Sequence, residues 1–438
     1  MKTDPDFVSF TENIKGFIQR YYLHLLIVAS TCLRILIVVN GGRSLFDSGQ
    51  DAPSYEASAF DFVRKGFWSS EISYLPVWPA GYPSLLALFI MVFDESWWKF
   101  VVAFQHAFYL ISGYYFLKQL KSIISNLQHI VLSLLILFLP SLIYSASENM
   151  YESILASLMM LGIAASIAVF TTNPSDFPWK SYGIAIFSFG LAGFIQARTA
   201  PMGILILLFV AQKLNVKTVF LAFLSSWGII LTMLRSWIAY KFYSPSINFS
   251  IALGVSGTKF ESCSFAESAQ LSFWQNAAKR DRELTMCYLD FFVRNPSEFF
   301  SHVLREGRHL YGPLNGGGVQ GASTWFHGLD FKRLLGFFGL QISETVNVVQ
   351  NSYAILLNLA ILFGAFFVLK RLPWQIVLTL FSPIVINTII HVVSNGDSRY
   401  RLPFLPLQMV FLSYCIADAY KCINRGRKSL DKHSQSSI

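Results

Sequence analysis

Charge is scarce in this chain: Asp, Glu, Lys and Arg make up 13% of its 438 residues, against 54% hydrophobic residues. Soluble domains carry about 25% charged residues, so an ordinary water-soluble globule is excluded. Cysteine is scarce too, and five in the whole chain cannot build a disulfide scaffold. No repeat of roughly 20–50 residues is visible, which argues against a solenoid or propeller. There is no Walker loop, no Ser-His-Asp set and no zinc-ligand cluster. Gly316-Gly317-Gly318 lacks the strand-loop-helix setting of a nucleotide cradle. Energy for any chemistry therefore comes from an activated substrate or a gradient, not from bound ATP. No cleavable leader is expected, because the first apolar run lacks a small-residue cleavage site and more runs follow.

What the chain does have is apolar length. Aromatic residues reach 16%, with 41 Phe, a composition suited to lipid-facing and interfacial surfaces. The net charge of +9 sits in short polar gaps and the tail, at Lys118, Lys121, Lys180, Lys213, Lys217, Lys370, Arg371 and Arg425 among others. That placement follows the positive-inside rule and not the clustered patch of a nucleic-acid binder. The apolar runs are 22–39, 100–117, 130–144, 154–170, 182–194, 202–210, 219–240, 353–368, 374–391 and 404–416. The expectation is an all-α integral membrane protein of about ten transmembrane helices with both termini cytoplasmic. Residues 1–240 would form an N-terminal transmembrane module, 241–348 an extracytoplasmic insertion, and 349–438 the last helices and a cytoplasmic tail.

On this layout the outer face carries three features. The loop 41–99 contains an amphipathic helix marked by Tyr55, Ala59, Phe62 and Val63, with Pro53 suited to its first turn and Gly66 to its end. It also contains the run 82–93, too short to span and so expected to lie at the interface. The insertion 241–348 holds Cys263 and Cys287, which pair or remain two thiols. A short turn, 391–403, completes the face. Within the first loop, Asp51 stands at the lip of the bilayer, where a carboxylate is costly to keep unless it works. Asp51, Tyr55 and Ala59 share one helical face.

Five motifs in order resemble the GT-C membrane glycosyltransferases, in the branch of protein O-mannosyltransferases and aminoarabinose transferases. They are Asp51-x3-Tyr55-x3-Ala59; Pro79-Ala-Gly81-Tyr82-Pro83; Pro140 followed by Glu152; Gly190-Leu-Ala-Gly193-x4-Arg198; and Ser398-Arg399-Tyr400-Arg401-Leu402-Pro403. The stretch 282–305 also resembles outer helices of bacterial members. The chain departs from them in having Val77-Trp78 where Arg is common and no acidic pair at the start of the first loop. The resemblance implies transfer of a sugar from a polyprenyl-phosphate donor to a glycan, lipid or protein acceptor, on the extracytoplasmic side of the cell (inner) membrane.

Roles follow from that chemistry. A hydroxyl or amine acceptor needs its proton removed as it attacks the anomeric carbon, and Asp51 fits as the base. The alternatives are a helix-capping Asp51 or Asp47 as the base. The leaving phosphate gains charge, and arginine matches it with planar, permanently charged donors. Arg399 and Arg401 are candidates, expected to point the same way in an extended stretch; the bland reading is that they snorkel to headgroups. Tyr55, Tyr82, Glu152 and Arg198 are expected to bind substrate. Glu148 and Glu152 are the candidates for a divalent cation, the cofactor otherwise being open; a Glu152–Arg198 ion pair is the structural alternative. His391 is read as an interfacial, hydrogen-bonded histidine.

Two other classes compete. An O-antigen ligase or polymerase also combines many spans, a large outer loop and arginines, but does not need the Asp51 motif. A transporter or lipid flippase places its charges near mid-membrane, commonly in repeated halves. Here the charged candidates cluster at one face.

Overall fold

The computed structural model describes residues 5–47, 51–75, 79–138, 140–173, 176–211, 215–241, 289–311, 345–393 and 398–436. Among these residues the fold is entirely helical. The elements are α1 (Pro5–Asn40), α2 (Arg43–Phe46), α3 (Ala52–Lys65), α4 (Gly81–Phe93), α5 (Trp97–Leu120), α6 (Asn126–Phe138), α7 (Pro140–Ser145) and α8 (Glu152–Thr171). They continue as α9 (Trp179–Ile195), α10 (Ala200–Val210), α11 (Val216–Leu224), α12 (Trp227–Tyr240), α13 (Pro296–Tyr311), α14 (Thr345–Arg371), α15 (Trp374–Val393) and α16 (Leu405–Ser436). Cys263, Cys287 and most of the expected insertion fall outside the described residues.

Each of the ten apolar runs falls on helix, but length separates them. Four segments are long and apolar enough to cross a membrane: Arg20–Asn40, Glu152–Thr171, Trp374–Val393 and Tyr400–Asn424. A fifth is available if α11 and α12, bent by 52° at their junction, act as one span. Among the described residues four or five segments thus meet that test, and the ten expected crossings are not all shown. The physical reason is that α6, α9 and α10 have 13, 17 and 11 residues, short of the roughly 20 that a spanning helix wants. With 24 residues α5 is long enough, but it carries Gln105, His106 and Ser112 within it, all buried.

The bundle is organised around α8, which packs against α5 and α9 and is buried on almost every side. Ser153, Ala156, Ser157, Gly162, Ala164, Ala165 and Ser166 keep its surface small, and small side chains let neighbouring helices approach closely in a membrane. The α9–α12 contact is closer still. A Cβ on Gly228 would overlap the carbonyl oxygen of Gly190, and one on Gly190 would overlap the Trp227 indole. We expect Gly228→Ala to destabilise the protein by about 1–3 kcal/mol, the usual cost of overpacking. Gly183→Ala, on the same α9 but facing open space, should be nearly neutral. Thermal unfolding in detergent, followed by monodispersity, checks the pair.

Local rules explain the outer helices. Pro53 sits in the first turn of α3, and Gly66, at φ +83°, takes the turn that ends it while its N–H bonds to the Phe62 carbonyl. The buried face of α3 is Ala52, Tyr55, Ser58, Ala59 and Phe62; Val63, expected there, is exposed. Thirteen residues give α4 a length of about 20 Å, too short to span. Gly81 opens α4 because a Cβ there would come within 2.5 Å of the Phe194 carbonyl oxygen. That close approach seats α4 on the end of α9 and fixes where Tyr82 points.

Candidate active site

The site is built from the ends of several helical elements. Arg43 of α2 bonds Asp47 at 2.7 Å and Glu56 of α3 at 2.6 Å, with its guanidinium 5.1 Å from the ring centres of both Phe46 and Trp97. Burial opposes its charge, but the hydrogen bonds and charges of Asp47 and Glu56 outweigh that and raise Arg43 above its ordinary value. Asp47 is thereby committed to a structural pair. Asp51 is half-buried at the start of α3, and its carbonyl accepts from the N–H groups of Ser54 and Tyr55. Its carboxylate makes no capping bond to the helix, so the capping alternative is not the role the geometry gives it.

Further along, Asp61 accepts from both the N–H and the hydroxyl of Ser73 and pairs with Lys65 at 3.0 Å. Burial works against its charge, yet these donors hold the carboxyl below its ordinary value. This pins the loop that leads to Pro79 and α4.

Three tyrosines line the centre. Tyr55 is fully buried, edge-on to Tyr82 with ring centres 5.2 Å apart and to Tyr151 at 6.1 Å. The Tyr82 hydroxyl donates to Asn149 Oδ1 at 3.1 Å, and Asn149 Nδ2 donates to the Ala52 carbonyl at 3.3 Å. The backbone N–H of Asn149 bonds to the Phe46 carbonyl at 2.8 Å. One asparagine thus ties α2, α3 and α4 to the loop ahead of α8. Glu148 and Glu152 are buried there, and burial, reinforced by these two carboxylates, raises the Tyr82 hydroxyl well above its ordinary value. Tyr82 is a neutral hydrogen-bond donor at any working pH.

Arg198 lies in the short turn Ala197–Thr199 between α9 and α10. Its Nη2 and the Gln196 amide both donate to the Tyr151 hydroxyl at 3.0 Å. The guanidinium lies 4.5 Å from the centre of the Tyr400 ring, whose other neighbour is His391, stacked at 4.1 Å. Arg198 thus contacts Tyr151 and Tyr400, and no ion pair between it and Glu152 is present. A continuous series of side chains, Tyr82–Tyr55–Tyr151–Arg198–Tyr400–His391, links α4, α3, the α8 loop, the α9–α10 turn and the segment before α16.

The segment that carries Arg399 and Arg401 is not extended. Residues Ser398–Phe404 form a 3₁₀ turn and not the extended stretch expected. Pro403 is accommodated inside the turn. Arg401 is buried, its Nη2 donating to Asn358 Oδ1 at 3.0 Å and Gln408 Oε1 at 2.9 Å, its plane 4.3 Å from the Tyr311 ring centre. Only the backbone of Arg399 is described. The motif reading missed Asn149, Tyr151, Gln196 and Tyr400; Tyr400 sat inside a quoted motif, and Asn149 and Tyr151 flank the helix start at Glu152. Among the described residues no three His, Cys, Asp or Glu side chains converge as a metal site, so Asp51, Glu148 and Glu152 do not form a ready-made three-carboxylate centre.

No protein family matches the sequence, and neither does any curated protein. Among solved structures, the chain is similar to the oligosaccharyltransferase of Archaeoglobus fulgidus in its apo form, with TM-score 0.53 and 13% identity over 94% of this chain and 52% of that one. It is also similar to the oligosaccharyltransferase AglB of the same organism, in complex with an inhibitory peptide and a dolichol-phosphate, with TM-score 0.52 and 14% identity over 95% and 52% of the two chains. The chain spans about half the length of these proteins. At this identity what is shared is the fold of these oligosaccharyltransferase structures.

Proposed function

We propose that this protein is a GT-C-type glycosyltransferase that moves a sugar from a polyprenyl-phosphate carrier to a glycan, lipid or protein acceptor at the outer face of the cell membrane. Asp51 removes the acceptor proton as the nucleophile bonds to the anomeric carbon. The bond from that carbon to the phosphate oxygen breaks, and the negative charge gathers on the lipid phosphate. Arg198 meets that charge, with Arg399 as a second donor. Tyr55, Tyr82 and Tyr151 wall the sugar and exclude water. Glu152, at the start of α8, and Glu148 orient the acceptor or share a divalent cation with a substrate phosphate. In the full membrane topology the shorter helices complete about ten crossings, both termini are cytoplasmic, and 241–348 is the extracytoplasmic insertion.

The observation that carries this reading is the convergence of the Asp51 helix, Tyr82, the Glu152 helix and Arg198 through Tyr55 and Tyr151, in a fold whose solved relative holds a dolichol-phosphate. It is tested by thermal unfolding of the detergent-purified protein with a long-chain polyprenyl phosphate. At about 100 times the dissociation constant, a ligand of the folded state adds about 2.7 kcal/mol. The expected result is a rise in melting temperature with the phosphate and none with the matching polyprenyl alcohol. Equal responses to the two lipids would overturn the phosphate site.

Topology is checked separately. In a background without the five native cysteines, Ser70→Cys should react with an impermeant thiol reagent in intact cells and Ser122→Cys should not, since both positions flank exposed loop surface and the basic gaps lie inside. Labelling at Ser122→Cys with protection at Ser70→Cys would invert the membrane and remove the outer-face site.

A further inference from the structure

The interior of the bundle holds a cation that the proposed reaction does not use. Arg34 of α1 is 1% exposed, and it lies six residues, about 9 Å, short of the end of the span at Asn40. Its Nη1 bonds His106 Nδ1 at 2.9 Å, its Nε donates to Ser30 Oγ at 3.4 Å, and its plane lies 4.6 Å from the Tyr109 ring centre. Its Nη2 has no hydrogen-bond partner among the described residues, and no described carboxylate pairs with Arg34. A buried cation without a counter-charge costs several kcal/mol, and apolar residues of similar volume usually pack as well or better. Packing alone does not account for an arginine here.

What the guanidinium does is fix the histidine. It only donates, so His106 Nδ1 must accept, and the ring proton must sit on Nε2. That proton points at Ser147 Oγ, 3.0 Å away. The adjacent Gln105 donates to the carbonyls of Glu148 at 2.9 Å and Ala146 at 3.3 Å. One residue further, Asn149 bonds Phe46, Ala52 and Tyr82. The line of bonds runs from mid-bundle to the helix that begins beside Asp51. A small cavity bounded by Val38, Gly41, Val102 and Ser147 lies one helical turn above the Arg34–His106 pair.

We propose that Arg34 and His106 are positioning residues: a hydrogen-bond relay that holds the 146–149 loop, with Glu148 and Asn149, in place at the outer end of the bundle. The holding of the loop is independent of the reaction, whereas its consequence for turnover rests on the glycosyltransferase reading.

The test uses the purified full chain lacking native cysteines and carrying Ser145→Cys, a buried reporter at the edge of the loop, labelled with N-ethylmaleimide. His106→Leu and Arg34→Met should speed labelling by about tenfold or more through local opening. Ser147→Ala, which removes only the accepting oxygen, should act in the same direction and serves if the larger changes fail to fold. His106→Gln should label like the parent, because its amide accepts from Arg34 and donates to Ser147. Arg235→Met, at a buried arginine that binds the Phe67 and Ser69 carbonyls elsewhere, should leave labelling unchanged. Parent-like labelling in folded Ser147→Ala and His106→Leu would overturn the relay, as would an equal rise in Arg235→Met. Turnover should fall in the relay variants with the melting shift by polyprenyl phosphate retained. Faster labelling with turnover intact would sink the loop's part in transfer and leave the relay standing.

Discussion

Asp51→Asn should abolish sugar transfer, lowering turnover by about 10²–10⁴, while the protein inserts and folds as before. The magnitude is that of losing a positioned base. Folding is spared because Asn is an excellent residue at a helix N-terminus and the Asp51 carboxylate makes no capping bond to α3. The melting shift by polyprenyl phosphate should also survive, since the base acts on the acceptor. Asp47→Asn is the matched control: it loosens a half-exposed pair with Arg43, and such pairs are worth about 0–1 kcal/mol. Turnover should then stay near the parent value. Full activity in Asp51→Asn would remove Asp51 as the base.

The second large effect is expected at Arg198. Lysine keeps the charge but loses the flat donor edge that meets Tyr151 and the plane that lies over Tyr400. Donor affinity should fall with Lys and fall further with Ala, since a charge-assisted contact is worth about 1.5–3 kcal/mol. The readout is the concentration dependence of the polyprenyl-phosphate melting shift, alongside donor-dependent kinetics. Arg401→Lys should behave differently. Its guanidinium is clasped by Asn358, Gln408 and Tyr311, so its loss should lower the melting temperature of the free protein and spare the shift. Parent affinity in Arg198→Ala would leave that arginine as a brace for Tyr151.

How far the sequence could be read depended on the range of the interaction. The start, stop and main face of α3 follow from Pro53, Gly66 and a four-residue spacing, all local signals. The same logic failed at 398–404, because Arg-Tyr-Arg before Pro403 is compatible with extended chain and with a 3₁₀ turn, and packing against α8, α13, α15 and α16 selects the turn. The number of crossings is not legible in the apolar runs for a related reason. An apolar run does not show whether its neighbours are lipid or protein, and α8 differs from α1 mainly in being buried on all sides. Asn149 and His106 were out of reach, since Asn149 reaches back to Phe46 and Ala52 and His106 to Arg34, all distant in sequence. The glycine seam of α9 and α12 was likewise invisible, although Gly190 stood inside a quoted motif.

The central claim is that this chain consumes a polyprenyl-phosphate sugar at the outer membrane face with Asp51 as base. The direct measurement is the profile of polyprenyl-linked sugars and of outer-surface glycans in cells making the parent protein, no protein, or Asp51→Asn at equal abundance. The expected result is one lipid-linked sugar that accumulates both without the protein and with Asp51→Asn, together with loss of one sugar from an outer glycan, lipid or protein. Identical profiles in all three cells would contradict the account.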